Sequence, residues 1–262
     1  MRVVSVISLK GGVGKTSVTL GLAGAAWEHG LRILVVDLDL QGNASTVLDP
    51  ARVLFTASDV LSDPRPELLA HAIVPSGWGP EVELIAADSL LERHNANVGR
   101  EATLRLRIAM SGLTDYDLVL VDSPPSLGAL TRNALAASHQ AVVVAEPSLF
   151  ALQGAAAALE AVDLVQADNL RLRPYGIVVN KMRAQSLEHR YRLEELRRVY
   201  DGLLVEPVIP DRTAIQQAEG ACVPVQAWRS SGAREIADAF DDHLGALLAQ
   251  RVDDGPLTRG RR

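Results

Sequence analysis

Apolar positions along the chain fall into short, nearly continuous runs that close at or shortly before a glycine, an asparagine, an acid or a proline. Val3–Ser8, Arg32–Asp37, Val82–Ala87, Asp117–Asp122, Ala141–Ala145, Tyr175–Asn180 and Leu204–Ile209 are such runs. Runs of this length predict strands buried on both faces of a parallel sheet. Between them, Ser17–His29, Leu127–Ala137, Leu149–Gln166, Leu187–Tyr200 and Ala233–Gln250 repeat apolar residues at helical spacing. Gly30 stands where a helix C-terminal glycine is expected. Asp39–Ser45 reads as a polar loop. Strands alternating with helices predict an α/β fold: a mostly parallel, twisted sheet of about seven or eight strands, helices on both faces and right-handed crossovers. Residues 1–251 are expected to form one domain, and 252–262 have the composition of a disordered tail.

Composition narrows the chemistry. About half of the 262 residues are apolar, enough for a sizeable core. A net charge of -6 gives no global attraction to nucleic acid or anionic lipid, although a local basic patch is compatible with it. Cys222 is a lone cysteine and forms no internal disulfide, which suits a reducing cytoplasm. The start, MRVVSVIS, reads as a strand and not as a signal peptide, and no apolar run is long enough to span a membrane. Only three of the 26 basic residues are lysine, and two of these, Lys10 and Lys15, share one loop.

That loop, Leu9-Lys10-Gly11-Gly12-Val13-Gly14-Lys15-Thr16-Ser17, follows a predicted strand and opens a predicted helix. This is the setting of a phosphate-binding P-loop. The glycines let backbone N–H groups turn around phosphate oxygens, and the helix N-terminus adds its positive dipole end. Lys15 is placed to reach the β- and γ-phosphates and the Thr16 hydroxyl to bind Mg²⁺. Leu9 occupies the place of the first glycine in the strict pattern G-x-x-x-x-G-K-S/T.

Lys10-Gly11-Gly12-Val13-Gly14-Lys15-Thr16 resembles the deviant Walker A motif of the ParA/MinD ATPases. Asp37-Leu38-Asp39-Leu40-Gln41-Gly42-Asn43 resembles their second motif, D-x-D-P-Q-G-N, with Leu40 for the proline. Val121-Asp122-Ser123-Pro124-Pro125-Ser126 resembles their Walker B segment, and the likeness reaches Val208-Ile209-Pro210 and the helix after it. The resemblance implies ATP and Mg²⁺ as ligands, slow hydrolysis and a homodimer when ATP is bound. By it, Lys10 reaches the partner's nucleotide across the dimer, as an arginine finger does. Asp39 orients the attacking water, and Asp37 is structural. Asp122, which ends a buried strand, holds the Mg²⁺ shell through water.

Asn180 ends the strand in Val178-Val179-Asn180-Lys181-Met182-Arg183. Guanine readers carry N-K-x-D at this place; Arg183 in place of that aspartate argues for adenine. By resemblance, Asn180, Pro210 and Asp211 are candidates for the adenine pocket, against the plainer reading of a turn asparagine and a turn proline.

The branches of the family differ in features that this chain has or lacks. The iron protein of nitrogenase and the arsenite-pump ATPases need cysteine pairs, and tyrosine kinases need a Tyr-rich tail. MinD carries a basic amphipathic C-terminal helix. Here the last helix sets Ile236, Phe240, Leu244, Leu247 and Leu248 on one stripe, with Asp238, Asp241 and Asp242 opposite. Anionic lipid repels such a face, so the stripe is expected to dock on the core, and no membrane partner is expected. ParA-type partition ATPases remain. For these the resemblance implies non-specific DNA, a ParB-like partner that stimulates hydrolysis, and a cytoplasmic, nucleoid-associated location.

One departure weakens the DNA reading. The second arginine of the chromosomal pattern I-P-R-x-V-R-L-S-E-A-P falls on Ala214. Arg183, His189, Arg190, Arg192, Arg197 and Arg198 offer another basic surface, or else a solvated face paired with Glu194 and Glu195. No DNA-reading segment precedes the loop, so operator binding is not expected. Two classes of function therefore stand: an ATP-gated mover that works on DNA, and a MinD-like or cargo-positioning ATPase without a DNA role.

Overall fold

The computed structural model describes residues 1–96 and 99–250. The C-terminal stretch expected as a tail lies outside the described residues. In chain order the elements are β1 (Arg2–Ile7), α1 (Lys15–Glu28), β2 (Ile33–Asp37), α2 (Asn43–Leu48), α3 (Ala57–Ser62), α4 (Pro66–Ala72), β3 (Val74–Ser76) and β4 (Gly79–Ile85). Next come α5 (Glu92–Asn95), α6 (Arg100–Thr103), α7 (Arg105–Ala109), β5 (Leu118–Asp122), α8 (Ala129–Ala137), β6 (Gln140–Ala145) and α9 (Ala151–Gln166). The last are β7 (Arg173–Val179), α10 (Leu187–Val199), β8 (Leu204–Val205), α11 (Thr213–Gly220) and α12 (Ser231–Ala249).

The strands form one eight-stranded sheet in the order β3-β4-β2-β5-β1-β6-β7-β8. Every pairing is parallel except that of β3 with β4. Alternation along β1 shows the layering. Val4 and Val6 point into a core shared with α1, α11 and α12, whereas Val3 faces the opposite core with α3, α4, α7 and α8. A third cluster packs α9 and α10 on β6 and β7. The α/β class and the two-faced sheet thus match the expectation.

Ile236, Phe240, Leu244 and Leu247 of α12 are buried against α1, while Leu248 is exposed. A side chain at Gly21 of α1 would overlap the Phe240 ring, so glycine there lets the two helices approach. Asp238, Asp241 and Asp242 face outward. Among the described residues no helix is long and apolar enough to cross a membrane.

Two local expectations need correction. The expected loop Asp39–Ser45 turns helical from Asn43, because Gly42 takes a left-handed conformation (φ 61°) and starts α2. The expected strand Leu204–Ile209 is broken: Leu204 and Val205 pair with β7, and the contact resumes only at Ile209, whose N–H donates to Val179 O at 2.8 Å. Pro207 has no N–H to continue the ladder.

Candidate functional site

The C-terminal ends of β1, β2 and β5 meet at one sheet edge, where α/β proteins bind ligands. The loop from β1 to α1 turns through Gly12 (φ 80°) and Gly14 (φ 87°). Gly14 is required twice over: its φ excludes most side chains, and a Cβ there would overlap Asn180 Nδ2. Asn180 Nδ2 donates to the carbonyls of Val13 (2.9 Å) and Gly14 (3.5 Å), and Lys181 Nζ donates to Gly12 O at 2.5 Å. The end of β7 therefore holds the loop's shape. Around Gly11 and Gly12 a Cβ would meet nothing within 4 Å, so the concave side is open. The first N–H groups of α1, from Lys15 to Ser17, have no intrahelical acceptor.

The charged groups divide by burial. Lys15 is 6% exposed, and Asp37 and Asp122 are fully buried. Burial lowers the Lys15 ammonium from its ordinary value, and the charges of Asp122 and Asp39 oppose that shift. Asp122 is raised, first by burial and then by Asp37; Thr16 and Lys15 act the other way. The Thr16 hydroxyl donates to Asp122 Oδ2 at 2.7 Å, and the Thr19 hydroxyl lies 3.2 Å from Asp122 Oδ1. Asp37 is raised by burial too, although it accepts from Ser45 N (2.9 Å), Ser45 Oγ (2.7 Å) and Asp39 N (3.0 Å). Those bonds fix the turn after β2 and aim Asp39. Asp39 accepts from Gln41 N through Oδ1 at 3.0 Å; among the described residues no donor meets its other oxygen.

Lys10 behaves unlike Lys15. Its ammonium sits on the rim, 41% exposed, and donates to Glu146 Oε2 (3.3 Å) and Ser148 Oγ (3.2 Å) just past β6. Ser17 sends its hydroxyl away from the loop, to Glu219 Oε1 of α11 at 2.7 Å. Sequence reasoning missed Thr19, Glu146, Ser148 and Glu219. Of these only Glu146 carried a signal, as an acid that directly follows a buried strand.

The adenine candidates also meet. Met182 N donates to Ile209 O and Asp211 N to Met182 O, both at 2.9 Å, which joins the segments after β7 and β8 beside Asn180. The Asp211 carboxylate pairs with Arg183 Nε at 2.6 Å. Asn180 Oδ1 is buried and meets no hydrogen-bond donor among the described residues. A purine amino group could supply the missing donor, so the residues present fit ATP. No cluster of three His, Cys, Asp or Glu side chains that could hold a metal occurs among the described residues. One hydroxyl and one carboxylate, with phosphates and water, is a donor set that fits Mg²⁺.

Comparisons with known proteins agree with this geometry. A family model described as an AAA domain matches residues 1–173. The chromosome-partitioning ATPase Soj of Thermus thermophilus is 33% identical over 89% of this chain and 91% of its own. The chain belongs to the ParA/Soj family of P-loop ATPases. A structure titled cobyrinic acid a,c-diamide synthase from Mycobacterium smegmatis, with bound ADP and magnesium, is 28% identical with a TM-score of 0.77, covering 95% of this chain and 94% of that one. An ATP complex of a McdA variant from Cyanothece shares the fold at a TM-score of 0.82 and 20% identity, covering 96% and 98%.

Two basic positions read differently from the family pattern. Ala214, where that pattern has an arginine, is buried on the core face of α11. On α10, Arg192 pairs with Glu188 and Glu195 at 2.7 Å each, and Arg197 with Glu194 (2.6 Å) and Glu206 (2.5 Å). Among the described residues the guanidinium groups of Arg190 and Arg198 meet no acid.

Proposed function

We propose that this ParA/Soj-family chain is a DNA-partition ATPase, one catalytic unit over residues 1–251. It binds Mg²⁺-ATP at the P-loop, pairs into a homodimer on ATP, associates with DNA without sequence preference, and hydrolyses ATP when a ParB-like partner stimulates it. Its place of action is the cytoplasm, on the nucleoid. One observation carries the dimer reading: of two lysines in one loop, Lys15 is buried in the cradle while Lys10 stays on the rim, held by Glu146 and Ser148. A rim lysine is free to leave for a second nucleotide.

The chain's residues divide the chemistry. Loop N–H groups and Lys15 bind and orient the phosphates. Asn180, Pro210 and Asp211 border the base. Thr16 and Asp122 would hold the metal's ligand shell, and bound Mg²⁺ would supply positive charge that neutralises the phosphates. Asp39 offers its unpartnered carboxylate oxygen to the attacking water, and Lys10 of the opposite protomer offsets the charge that develops in the transition state.

Light scattering with a non-hydrolysable ATP analogue tests this. The mass should rise from 28.0 kDa to twice that value, and Lys10→Ala should stay monomeric while binding nucleotide normally. A monomer at saturating analogue sinks the dimer reading. The ion pairing on α10 favours a second reading, a cargo-positioning ATPase without a DNA role. Equal retention on DNA with ATP, ADP or no nucleotide removes the switch, and absence of retention in all three selects this second reading.

A further inference from the structure

The opposite, N-terminal edge of the sheet holds a group of cations that the nucleotide site does not use. Arg107 of α7 and Arg171, just before β7, line one cavity of about 140 Å³ with Met1, Met110, Leu113 and His139. Among the described residues Arg107 donates to one acceptor, the neutral Asp168 carbonyl, at 3.1 Å. The Asp168 carboxylate is held by Arg100 at 3.0 Å. Among the described residues three arginines thus gather about one carboxylate, in a chain whose net charge is -6. Burial lowers the Arg107 guanidinium, the neighbouring charge of Arg171 lowers it further, and Asp168 offsets only part. Half-buried cations that share one counter-charge are costly, so an incoming carboxylate is favoured.

The residue beside each arginine points to the kind of ligand. Ile108 follows Arg107 and is 48% exposed, and Leu170 precedes Arg171 and is 80% exposed; both stand outside the cavity lining itself. Apolar side chains flanking arginines are the composition of a protein-recognition patch, in which arginine is enriched. We propose that this cavity docks an acidic segment of a partner protein, with a carboxylate between Arg107 and Arg171 and apolar side chains against Ile108 and Leu170. A free small anion would use the arginines and leave the apolar flank uncovered. The surface lies the length of β1, roughly 20 Å, from the P-loop, so the proposal does not depend on the nucleotide reading.

The test uses the full chain and a fluorescein-labelled dodecapeptide of Glu, Leu and Ala, read by fluorescence anisotropy. The Gln-for-Glu peptide is the control. Binding should be at least tenfold tighter for the acidic peptide and should weaken with salt. Arg171→Glu should abolish that preference; among the described residues its guanidinium holds no other group in place, and an unchanged circular dichroism spectrum and melting temperature verify the fold. Leu170→Ser with Ile108→Ser should weaken binding severalfold while the salt dependence stays. Equal affinity for both peptides, or no effect of Arg171→Glu, overturns the proposal. So does competition by citrate alone at the peptide's own affinity, which makes the cavity a small-anion site. Binding that emerges only when residues 251–262 are deleted also overturns it, by giving the cavity to the chain's own Asp253 and Asp254.

Discussion

The P-loop cradle and helix α10 are both rich in charge, and they spend it in opposite ways. In the cradle, Lys15, Asp37, Asp39 and Asp122 are withdrawn from water, and burial shifts three of them against their charged forms. That arrangement is tolerable where a ligand of complementary charge completes it. On α10, Arg192 and Arg197 have glutamates one turn away, and those charges cancel at the surface. Exposed pairs of this kind contribute about 0–1 kcal/mol each and are screened by salt. Charge density alone does not mark a site; charge withdrawn from water does.

The largest effects should follow from breaking the cradle. Lys15→Ala removes the buried cation and leaves two carboxylates facing the phosphates, so ATP affinity should fall by about two orders of magnitude or more, on the scale of a lost charge-assisted contact of ~3 kcal/mol. Equilibrium dialysis with labelled ATP measures it; near-normal affinity would remove Lys15 from the phosphate site. Asp39→Ala should leave binding and analogue-driven dimerisation intact but cut turnover by about 10²–10⁴-fold, the range of a lost proton-handling group. Turnover at the parental rate would reassign the water to another residue.

The same contrast explains what could be read beforehand. The cradle was legible because its geometry is local: Lys10 to Ser17 is one continuous turn, and Asp39 and Asp122 each end a buried apolar run. Its supports were not, because they come from far along the chain. Glu146 meets Lys10 across 136 residues, and Glu219 meets Ser17 across 202. Helices α3 to α7 escaped notice since none exceeds seven residues, too short for an apolar stripe to repeat. Ala214 could be seen to lack the family arginine, but its burial under α12 shows why: a charge would have to enter the core. The helical pairing on α10 was foreseeable from i,i+3 and i,i+4 spacing; that Arg197 also reaches Glu206 beyond the helix was not.

A smaller effect tests the surface side of the comparison. If α10 touches DNA phosphates, the unpaired arginines should carry it. Arg190→Glu with Arg198→Glu should weaken ATP-dependent DNA retention more than Arg197→Glu, whose guanidinium is already shared between two glutamates. The loss should be equal on unrelated sequences, and the salt slope should fall by about one for each phosphate contact removed. A mobility assay over a salt series gives both quantities. Loss only on some sequences, or none at all, would detach α10 from DNA.

The smallest effect comes from a buried titratable group far from the cradle. His243 of α12 is 2% exposed; its Nε2 lies 2.8 Å from the Pro207 carbonyl and its Nδ1 3.3 Å from the Tyr175 hydroxyl. Burial lowers its ordinary value, and the Pro207 carbonyl and nearby acids only partly offset this. A base that resists its proton in the folded state loses stability as pH falls, because the unfolded chain takes up a proton near pH 6.5 that the folded chain refuses. The contribution is complete above that value and declines below it, opposite in sign to the buried acids Asp37 and Asp122. Those disfavour the folded state as pH rises from the ordinary carboxylate range to about 6 for Asp37 and about 7 for Asp122, so they act within the same window. The comparison of two chains isolates His243: from pH 7.5 down to pH 5.5 the urea midpoint of the parental chain should drop relative to that of the His243→Gln chain. The variant, with a lower midpoint throughout for its lost packing, keeps the acids' contribution and lacks the histidine's. Parallel slopes would mean that His243 takes its proton inside the fold, and that burial against α12 does not hold it neutral.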